Sequence, residues 1–357
     1  VEVAYALGSL SGTSLRSPAL FGDENCRLLV HAAGRKVVIR SVETGEANFF
    51  TSASGCLEAV AACAVSHDRA YLAICERCWK PPQARISLYD LRGNATEPIT
   101  ALEPIGQKVG RLIAAAFSRD DGTSRHLALL VSGSEFSVIT MDWQSARILG
   151  SCVLDGVPDR VSFAPHDINL ISVSGAHYLR LLRLRDTNSK VRDSALAMLP
   201  GFDFNEQAQR LTDHAWLEAT DGTIVVCTLD GPVYVLSSIE MRVLHTIEEP
   251  FASSGTGFRM PLCVCSFSQG FILGSVEGFL AVWERTEVGV RGADQGGVAT
   301  VPAEFRHVRT MQACNTKAAV CCIDTTRGEE SVAIGFRDTD IGVLPMGALF
   351  ASPPGVT

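Results

Sequence analysis

The fold is indicated by residues 60–90, which read VAACAVSHDRAYLAICERCWKPPQARISLYD. Three apolar or β-branched runs, at 60–65, 71–75 and 86–90, alternate with polar segments that contain turn-forming residues. Short apolar runs bounded by Gly, Pro, Asn, Asp or Ser are typical of β-strands, and none of these runs continues a helical stripe. The stretch therefore predicts consecutive strands of one sheet.

The same order of runs recurs along the chain at intervals of roughly 50 residues. Repetition of strand-like units at this period is the signature of four-stranded propeller blades. Blades are buried between their neighbours, which explains why the runs are nearly continuous in hydrophobicity. The clearest copies lie at 60–90, 112–143, 161–186, 211–235 and 262–284, with weaker copies at 20–42 and 318–344.

We therefore predict an all-β fold, a seven-bladed β-propeller that forms one domain over residues 1–357. The strand count leaves the last blade without its outer strand, which residues 3–7 could supply. This pairing would close the ring and remove an exposed sheet edge. The chain begins at Val1 and not at Met, so we expect a fragment of a longer protein. The blades are expected at residues 18–51, 57–101, 110–152, 159–198, 210–247, 260–310 and 317–344.

The composition disfavours several classes of partner. Hydrophobic residues make up 46% and charged residues 20% of the chain, which supplies a core and disfavours disorder. The 39 acidic residues outnumber the 31 Lys and Arg residues, whereas nucleic acids and anionic membranes bind basic surfaces. No run approaches the roughly 18 apolar residues of a membrane helix, and the first residues do not form a secretory signal. We expect no nucleic-acid and no membrane partner.

The chemical motifs of enzymes are missing. Most of the 12 cysteines stand singly in apolar runs, as buried thiols do in a reducing compartment, which predicts a cytoplasmic protein. Cys75 and Cys78 have the spacing of a metal or redox pair, but no second pair follows at the distance that a zinc site uses. The eight histidines are scattered, and no phosphate or nucleophile motif is present. We expect no catalytic residue, no cofactor and no metal.

Aromatic residues in three long loops are the candidates for partner binding. The loops, at 77–84, 200–209 and 248–260, are expected on one face of the ring. Aromatics are only 7% of the chain, and aromatic side chains on loops of a rigid scaffold are typical of interfaces. Packing within the loops is the alternative. We predict that partners bind the following residues, which would then be partly exposed: Trp79, Phe202, Phe204, Phe251 and Phe258.

A basic stretch departs from the acidic average. It could contact an acidic partner, but blocks of charge are usually solvated faces of long side chains, and that interpretation is favoured. The stretch contains Arg180, Arg183, Arg185, Lys190 and Arg192.

The strand endings resemble those of WD40 repeats in a degenerate form. The segments LYDL at 88–91, MDW at 141–143 and VWE at 282–284 take the place of the Trp-Asp dipeptide, while the Gly-His that usually precedes the first strand is missing. The resemblance implies a WD40 propeller whose blades depend more on packing against their neighbours than on the usual His–Asp hydrogen bonds.

Longer segments carry a narrower resemblance. In order, they are YLAICE at 71–76, ISLYDL at 86–91, GAHYLRLLRL at 175–184, HAWL at 214–217, DGTIVV at 221–226 and DG at 230–231. As an ordered set over residues 57–285, they resemble the first propeller of the cilia- and flagella-associated WD40-repeat proteins.

This resemblance implies a non-enzymatic interaction scaffold of the ciliary or flagellar axoneme, which supports inner-arm dynein assembly or anchoring and ciliary motility. Its partners would be inner-arm dynein components and doublet-associated proteins, and the full-length chain would add a second propeller and a coiled coil. One alternative is a WD40 adaptor in another cytoplasmic complex, such as one of trafficking or a ubiquitin ligase. The other is an enzyme that uses loops over the central channel.

Overall fold

The chain folds into seven antiparallel sheets of four strands each in a computed structural model. The structure describes residues 3–4, 19–21, 28–33, 36–50, 57–79, 84–92, 97–103, 110–119, 124–185, 196–202, 210–218, 220, 222–251, 259–286, 304–313, 317–326, 328–337 and 341–351.

Each of the first three blades uses four consecutive strands, after a short N-terminal strand, β1 (Val3–Ala4). Blade 1 contains β2 (Ala19–Phe21), β3 (Leu28–Ala33), β4 (Lys36–Ser41) and β5 (Ala47–Phe50). Blade 2 contains β6 (Leu57–Val65), β7 (Tyr71–Cys78), β8 (Ala84–Asp90) and β9 (Thr100–Leu102). Blade 3 contains β10 (Arg111–Phe117), β11 (His126–Ser132), β12 (Phe136–Asp142) and β13 (Arg147–Val153).

The remaining blades continue this order. Blade 4 contains β14 (Pro158–Ala164), β15 (Asp167–Gly175), β16 (Tyr178–Leu184) and β17 (Leu196–Met198). Blade 5 contains β18 (Leu211–Trp216), β19 (Thr223–Thr228), β20 (Val233–Ser237) and β21 (Arg242–Ile247). Blade 6 contains β22 (Pro261–Phe267), β23 (Gly270–Ser275), β24 (Phe279–Thr286) and β25 (Glu304–Gln312). Blade 7 contains β26 (Val320–Thr325), β27 (Ser331–Phe336) and β28 (Ile341–Pro345).

The N-terminal strand completes blade 7. Val3 pairs with Gly342 and Ala4 pairs with Ile341, so that β1 is the outer strand of the last sheet. The predicted seven-bladed ring, closed by the N-terminal strand, is therefore confirmed. Residues 5–7 of the predicted strand lie outside the described residues.

The antiparallel order places the loops on two faces of the ring. We call the upper face the one with the loops between second and third strands and the links from blade to blade. The lower face carries the loops between first and second strands and between third and fourth strands. By this topology Trp79, Phe202 and Phe251, which the structure describes in the three aromatic loops, belong to the upper face.

The core is divided among the seams between blades. The described buried residues form seven apolar clusters, and each cluster joins one pair of neighbouring blades. Every residue of β19, β23 and β27, the second strands of blades 5 to 7, is buried. Burial on both faces of a sheet explains the continuous apolar runs in the sequence.

One glycine allows close contact between blades 6 and 7. A Cβ atom at Gly274 would lie 2.5 Å from Cγ1 of Val320 and 2.7 Å from Sγ of Cys263. These distances are shorter than van der Waals contact, so the seam tolerates only glycine without rearrangement.

A β-bulge occurs near the upper end of the first strand in blades 2 to 7. At each bulge one residue of the first strand has no paired residue on the second strand, and the bulge increases the local twist. All six of these residues are exposed or partly exposed. They are Glu58, Ile113, Asp159, Thr212, Leu262 and Cys321.

A short helix, α1 (Met346–Phe350), follows β28 on the lower face and departs from the all-β prediction. Met346 and Leu349 are buried in the cluster between blades 6 and 7, and the Phe350 ring contacts the Phe267 ring edge to face. The helix thus covers apolar side chains at the lower end of this seam.

Candidate interaction surfaces and central channel

The central channel contains two adjoining cavities toward the lower face, of about 220 and 250 Å³. Arg69, Arg119 and Asp324 line both cavities. The first cavity also has charged walls from Arg160 and Glu218, whereas the second has apolar walls from the first strands of blades 2 to 4.

Ion pairs at the lower mouth connect blades that are not neighbours. Arg69 of blade 2 binds Asp324 of blade 7, and Nη1 of Arg119 in blade 3 donates to Oε1 of Glu218 in blade 5 at 2.7 Å. His166 of blade 4 places Nε2 2.6 Å from the carbonyl oxygen of Glu218. Each guanidinium faces a carboxylate, so this mouth has balanced charge.

Asp213 joins three blades inside the ring. Its side chain is fully buried, and Oδ1 lies 2.6 Å from Nη1 of Arg160 in blade 4. Oδ1 also accepts the backbone N–H of His214 at 2.6 Å, and Oδ2 accepts the N–H of Val264 in blade 6 at 3.0 Å. A buried carboxylate needs such partners because desolvation strongly disfavours its charge. Asp213 is therefore a structural connector between blades 4, 5 and 6.

His214 forms a second connector, between blades 4 and 5. Its Nε2 lies 2.7 Å from Oγ of Ser172 and its Nδ1 lies 2.7 Å from Oγ of Ser174. Nε1 of Trp216 donates to Oγ of Ser172 at 2.8 Å. Burial, with the charge of Arg160 as a second cause, lowers the pKa of His214 to about 3. The imidazole is therefore neutral, with one ring nitrogen donating and the other accepting.

The cysteine pair of the sequence analysis lies within β7. Cys75 and Cys78 are three residues apart on one strand, so their side chains point to opposite faces of the sheet. Burial raises the pKa of the Cys75 thiol and that of Cys63 above the ordinary value. A protonated thiol is a poor nucleophile and a poor metal ligand. Among the residues that the structure describes, no group of three or more His, Cys, Asp and Glu side chains is arranged to hold a metal.

The exposure predicted for the aromatic loop residues is correct for one residue and wrong for two. Trp79 is 57% exposed, as expected for a binding residue. Phe202 and Phe251 are only 7% and 6% exposed. Phe204 and Phe258 lie outside the described residues. The partner-binding role of all five residues stays a prediction.

The two buried rings fill gaps between blades. Phe202 packs in the cluster between blades 4 and 5, and Phe251 packs in the cluster between blades 5 and 6. Each link between blades runs from an outer strand to the next inner strand across the upper end of a seam. A large aromatic side chain at this point fills the space between the two sheets. Pro200 and Pro250 precede these rings, and the Pro250 carbonyl accepts the indole N–H of Trp283 at 2.9 Å. A proline followed closely by Phe in a link between blades was the sequence pattern that could have indicated this buried packing.

Exposed apolar side chains mark the upper face of blades 2 and 3. We call Trp79, Val153 and Val157 the upper patch, a set that is defined by exposure on the upper face of these blades. Trp79 follows the second strand of blade 2, Val153 ends the fourth strand of blade 3, and Val157 lies in the link to blade 4. Val157 is 67% exposed, and Val153 is also exposed. Val153 and Val157 are not aromatic, so the aromatic content of the loops does not indicate them.

The basic stretch is partly neutralised within the fold. Arg180 pairs with Asp155 at 2.9 Å and Arg183 pairs with Asp167 at 2.8 Å. Lys190 and Arg192 lie outside the described residues. Arg180 and Arg183 thus have intramolecular roles.

The structure contains no helix, among the residues that it describes, with the length and apolar character needed to cross a membrane.

Comparison with known proteins identifies the fold. No protein-family model and no curated protein matches the chain. In contrast, 1641 chains of solved structures match, so the architecture is widespread. A chain of the crystal structure of the mitotic checkpoint complex has a TM-score of 0.67 at 12% identity, over 97% of this chain and 94% of that one. The Myceliophteria thermophila Cps50 (Swd1) β-propeller domain has a TM-score of 0.61 at 11% identity, over 83% and 84%. At such low identity the likeness shows the fold alone, and by fold this chain is a seven-bladed β-propeller, consistent with the WD40 type.

Proposed function

We propose that the chain is a non-enzymatic protein-interaction scaffold that docks partners on its upper face. The observation that carries this proposal is the upper patch, in which Trp79, Val153 and Val157 are exposed on a rigid ring. Large exposed apolar side chains on fixed loops are typical of protein interfaces. The solved structure from the mitotic checkpoint complex belongs to an assembly of proteins, which is in keeping with this kind of role.

We further propose a place in the ciliary or flagellar axoneme, as the first propeller of a protein similar to cilia- and flagella-associated protein 57 or to the related proteins 43 and 44. The support is the ordered set of sequence segments, from YLAICE at 71–76 to DG at 230–231. The scaffold would support inner-arm dynein assembly or anchoring, and its partners would be inner-arm dynein components and doublet-associated proteins.

The docking proposal is tested with the double variant Trp79→Ala/Val157→Asp. Loss of two interface anchors of about 2 kcal/mol each weakens binding by far more than tenfold, while exposed positions change the free energy of unfolding by only about 0.5 kcal/mol. The assay is quantitative recovery of partners on the immobilised chain from an extract of ciliated cells, together with a thermal melt.

The matched control is Ile239→Asp. Ile239 is 74% exposed but lies in the turn between the third and fourth strands of blade 5, on the lower face. Its variant should recover the same partners as the parent chain. Equal loss in both variants would show that any exposed apolar residue matters and would refute a specific upper patch.

The axonemal proposal has a separate test. The tagged chain, expressed in ciliated cells in place of the endogenous protein, should remain with the axoneme after detergent extraction and should co-purify with inner-arm dynein components. A chain that stays in the cell body with coat or ubiquitin-ligase subunits would favour the adaptor alternative. That result would refute the axonemal place and leave the scaffold proposal standing.

A further inference from the structure

The outer strand of blade 3 has a free edge without the usual protection against pairing. β13 pairs with β12 on one side, and its other side is the edge of the sheet. Its sequence, RILGSCV at 147–153, contains no proline and no charged residue after Arg147. Edge strands of natural proteins usually carry charges or proline, or are very short, because a free edge pairs readily with another chain.

Two residues of β13 direct their backbone groups away from the sheet. The N–H of Leu154 donates to the carbonyl oxygen of Phe136 at 2.9 Å, toward β12. Bonded and non-bonded pairs alternate along an antiparallel ladder, and the register is regular at this end of β13, so the N–H and C=O groups of Ser151 and Val153 point outward. Within the described part of the chain, the only hydrogen bond to these groups is a weak one, from the Cys152 thiol to the Val153 carbonyl oxygen at 3.4 Å.

The β-bulges of the outer strands identify equivalent positions in other blades. Ser151 in β13 and Thr246 in β21 each lie two residues after the bulge residue, so Val153 corresponds to Glu248 in blade 5. Glu248 is exposed, and a strand added to β21 would meet its carboxylate. In β25 of blade 6, the same count reaches Gln312. Of these three blades, only blade 3 has an apolar residue at this outward position.

Both outward residues of β13 lie on the side of blade 2. Ser151 pairs with Ile139, which belongs to the apolar cluster between blades 2 and 3, and paired residues share a face of the sheet. Val153 lies two positions further along the strand and therefore shares this face. Val153 thus belongs both to the free edge and to the upper patch.

We propose that β13 accepts an extended segment of a partner protein as a fifth strand of blade 3. This inference rests on the docking proposed for the upper patch and specifies the form of the partner. The segment is uncharged where it pairs with Ser151 and Val153, and it carries apolar side chains on the face toward the patch. In such strand addition the main-chain hydrogen bonds supply affinity and the alternate side chains supply specificity.

A second copy of the chain fits this edge less well than a separate segment does. A symmetric dimer through the edge would pair the two β13 strands antiparallel. Whatever its register, that pairing places the upper end of one strand beside the lower end of the other, where Arg147 is exposed. The upper patch of each copy would stay uncovered, whereas a single segment can continue from the edge onto the patch.

The test uses a proline that removes one outward N–H group. Ser151→Pro leaves the ladder with β12 intact, because the N–H of Ser151 points away from it and proline is tolerated in such edge positions. The matched control is Thr246→Pro in β21, at the equivalent exposed position. The probe is a fluorescent peptide of about ten residues that alternates Val and Thr, and the control peptide has proline in place of each Thr. Binding is measured by fluorescence anisotropy and the bound site by hydrogen exchange.

The parent chain should bind the Val–Thr peptide with slower hydrogen exchange at residues 147–153, and it should not bind the proline peptide. Ser151→Pro should weaken binding by about tenfold or more, and Thr246→Pro should leave it unchanged. If Ser151→Pro does not fold, Ser151→Lys and Thr246→Lys take the places of the two proline variants, because lysine protects an edge in the same way.

Three results would overturn the inference. The first is no binding to the parent chain up to about 1 mM peptide. The second is an equal response of the Ser151 and Thr246 variants, or slower exchange at a site other than β13. The third is a parent chain that sediments as a dimer and becomes a monomer on Ser151→Pro, which would assign the edge to a second copy.

The double variant Trp79→Ala/Val157→Asp separates this inference from the scaffold proposal. If that variant loses its partners from the extract while Ser151→Pro keeps them, the added strand is wrong and docking on the upper patch stands. If the double variant keeps its partners, the proposed docking fails whatever the peptide does.

Discussion

Asp213→Ala provides a direct test of the connector between blades 4, 5 and 6. The change leaves the Arg160 guanidinium without its carboxylate and removes the acceptor of the Val264 N–H. Removal of one partner of a buried ion pair costs about 3–5 kcal/mol, and the partial exposure of Arg160 places the expected loss near 4 kcal/mol. An unfolding entropy of about 2.1 cal/mol/K per residue converts this loss into a decrease in melting temperature of about 5 °C for this chain.

The measurement is a thermal melt by circular dichroism, with Asp155→Ala as the control. Asp155 pairs with Arg180 at 2.9 Å, but its carboxylate is exposed to solvent. An exposed ion pair contributes about 0–1 kcal/mol, so the control should melt within roughly 1 °C of the parent chain. Equal melting temperatures for the two variants would show that burial does not determine the strength of the Asp213 contacts.

Three further substitutions test other parts of the structure. Gly274→Val should lower the free energy of unfolding, measured in urea, by about 1–3 kcal/mol because the new side chain collides with Val320. The control Gly347→Ala in α1 adds a Cβ atom that meets no atom within 4 Å, so it should raise this free energy by about 0.5–1 kcal/mol. Equal effects of the two variants would contradict the close seam at Gly274. Phe251→Ala should lower the free energy of unfolding by about 3–5 kcal/mol, whereas Trp79→Ala should change it by no more than about 0.5 kcal/mol. The reverse order would contradict the packing role of Phe251 between blades 5 and 6. Since the buried His214 has a pKa lowered to about 3 from 6.5, the unfolded chain binds a proton between these pH values that the folded chain does not. Stability should therefore fall with decreasing pH in this window by about 1.4 kcal/mol per pH unit, and His214→Gln should lack this part of the slope; an unchanged slope would contradict a buried neutral imidazole.

The strands were predictable from the sequence because a strand that is buried on both faces has apolar residues at nearly every position. The run at 71–75 is apolar since β7 lies between two neighbouring blades, and the Asp and Ser residues at 66–68 mark the turn that precedes it. The missing outer strand of blade 7 was predictable for a related reason, because a closed ring leaves no blade with three strands.

The contacts between distant residues were not predictable in this way. Arg69 and Asp324 are 255 positions apart, and no local pattern indicates that one guanidinium bypasses a blade. Whether a loop Phe is exposed also depends on the space between the two sheets below it, which explains the incorrect prediction for Phe202. The segment HAWL at 214–217 carries a family resemblance but no local pattern that predicts how His214 and Trp216 connect two blades through Ser172.

The bulges in blades 2 to 7 have a consequence for how the chain can vary. Side chains at bulges are released from cross-strand pairing, and here the six positions hold Glu, Ile, Asp, Thr, Leu and Cys, which share neither size nor charge. A substitution at Leu262 therefore leaves the register intact. Its deletion would place the pair Pro261–Ser275 directly beside the pair Cys263–Gly274, which would convert the bulge into a regular ladder and remove the added twist. Thr212 differs, because its Oγ1 donates to the carbonyl oxygen of Pro261 in blade 6 at 3.0 Å. Leu262 is partly exposed and has no hydrogen-bonding group in its side chain, which makes it a suitable point for the introduction of a label or new chemistry near the upper end of the channel.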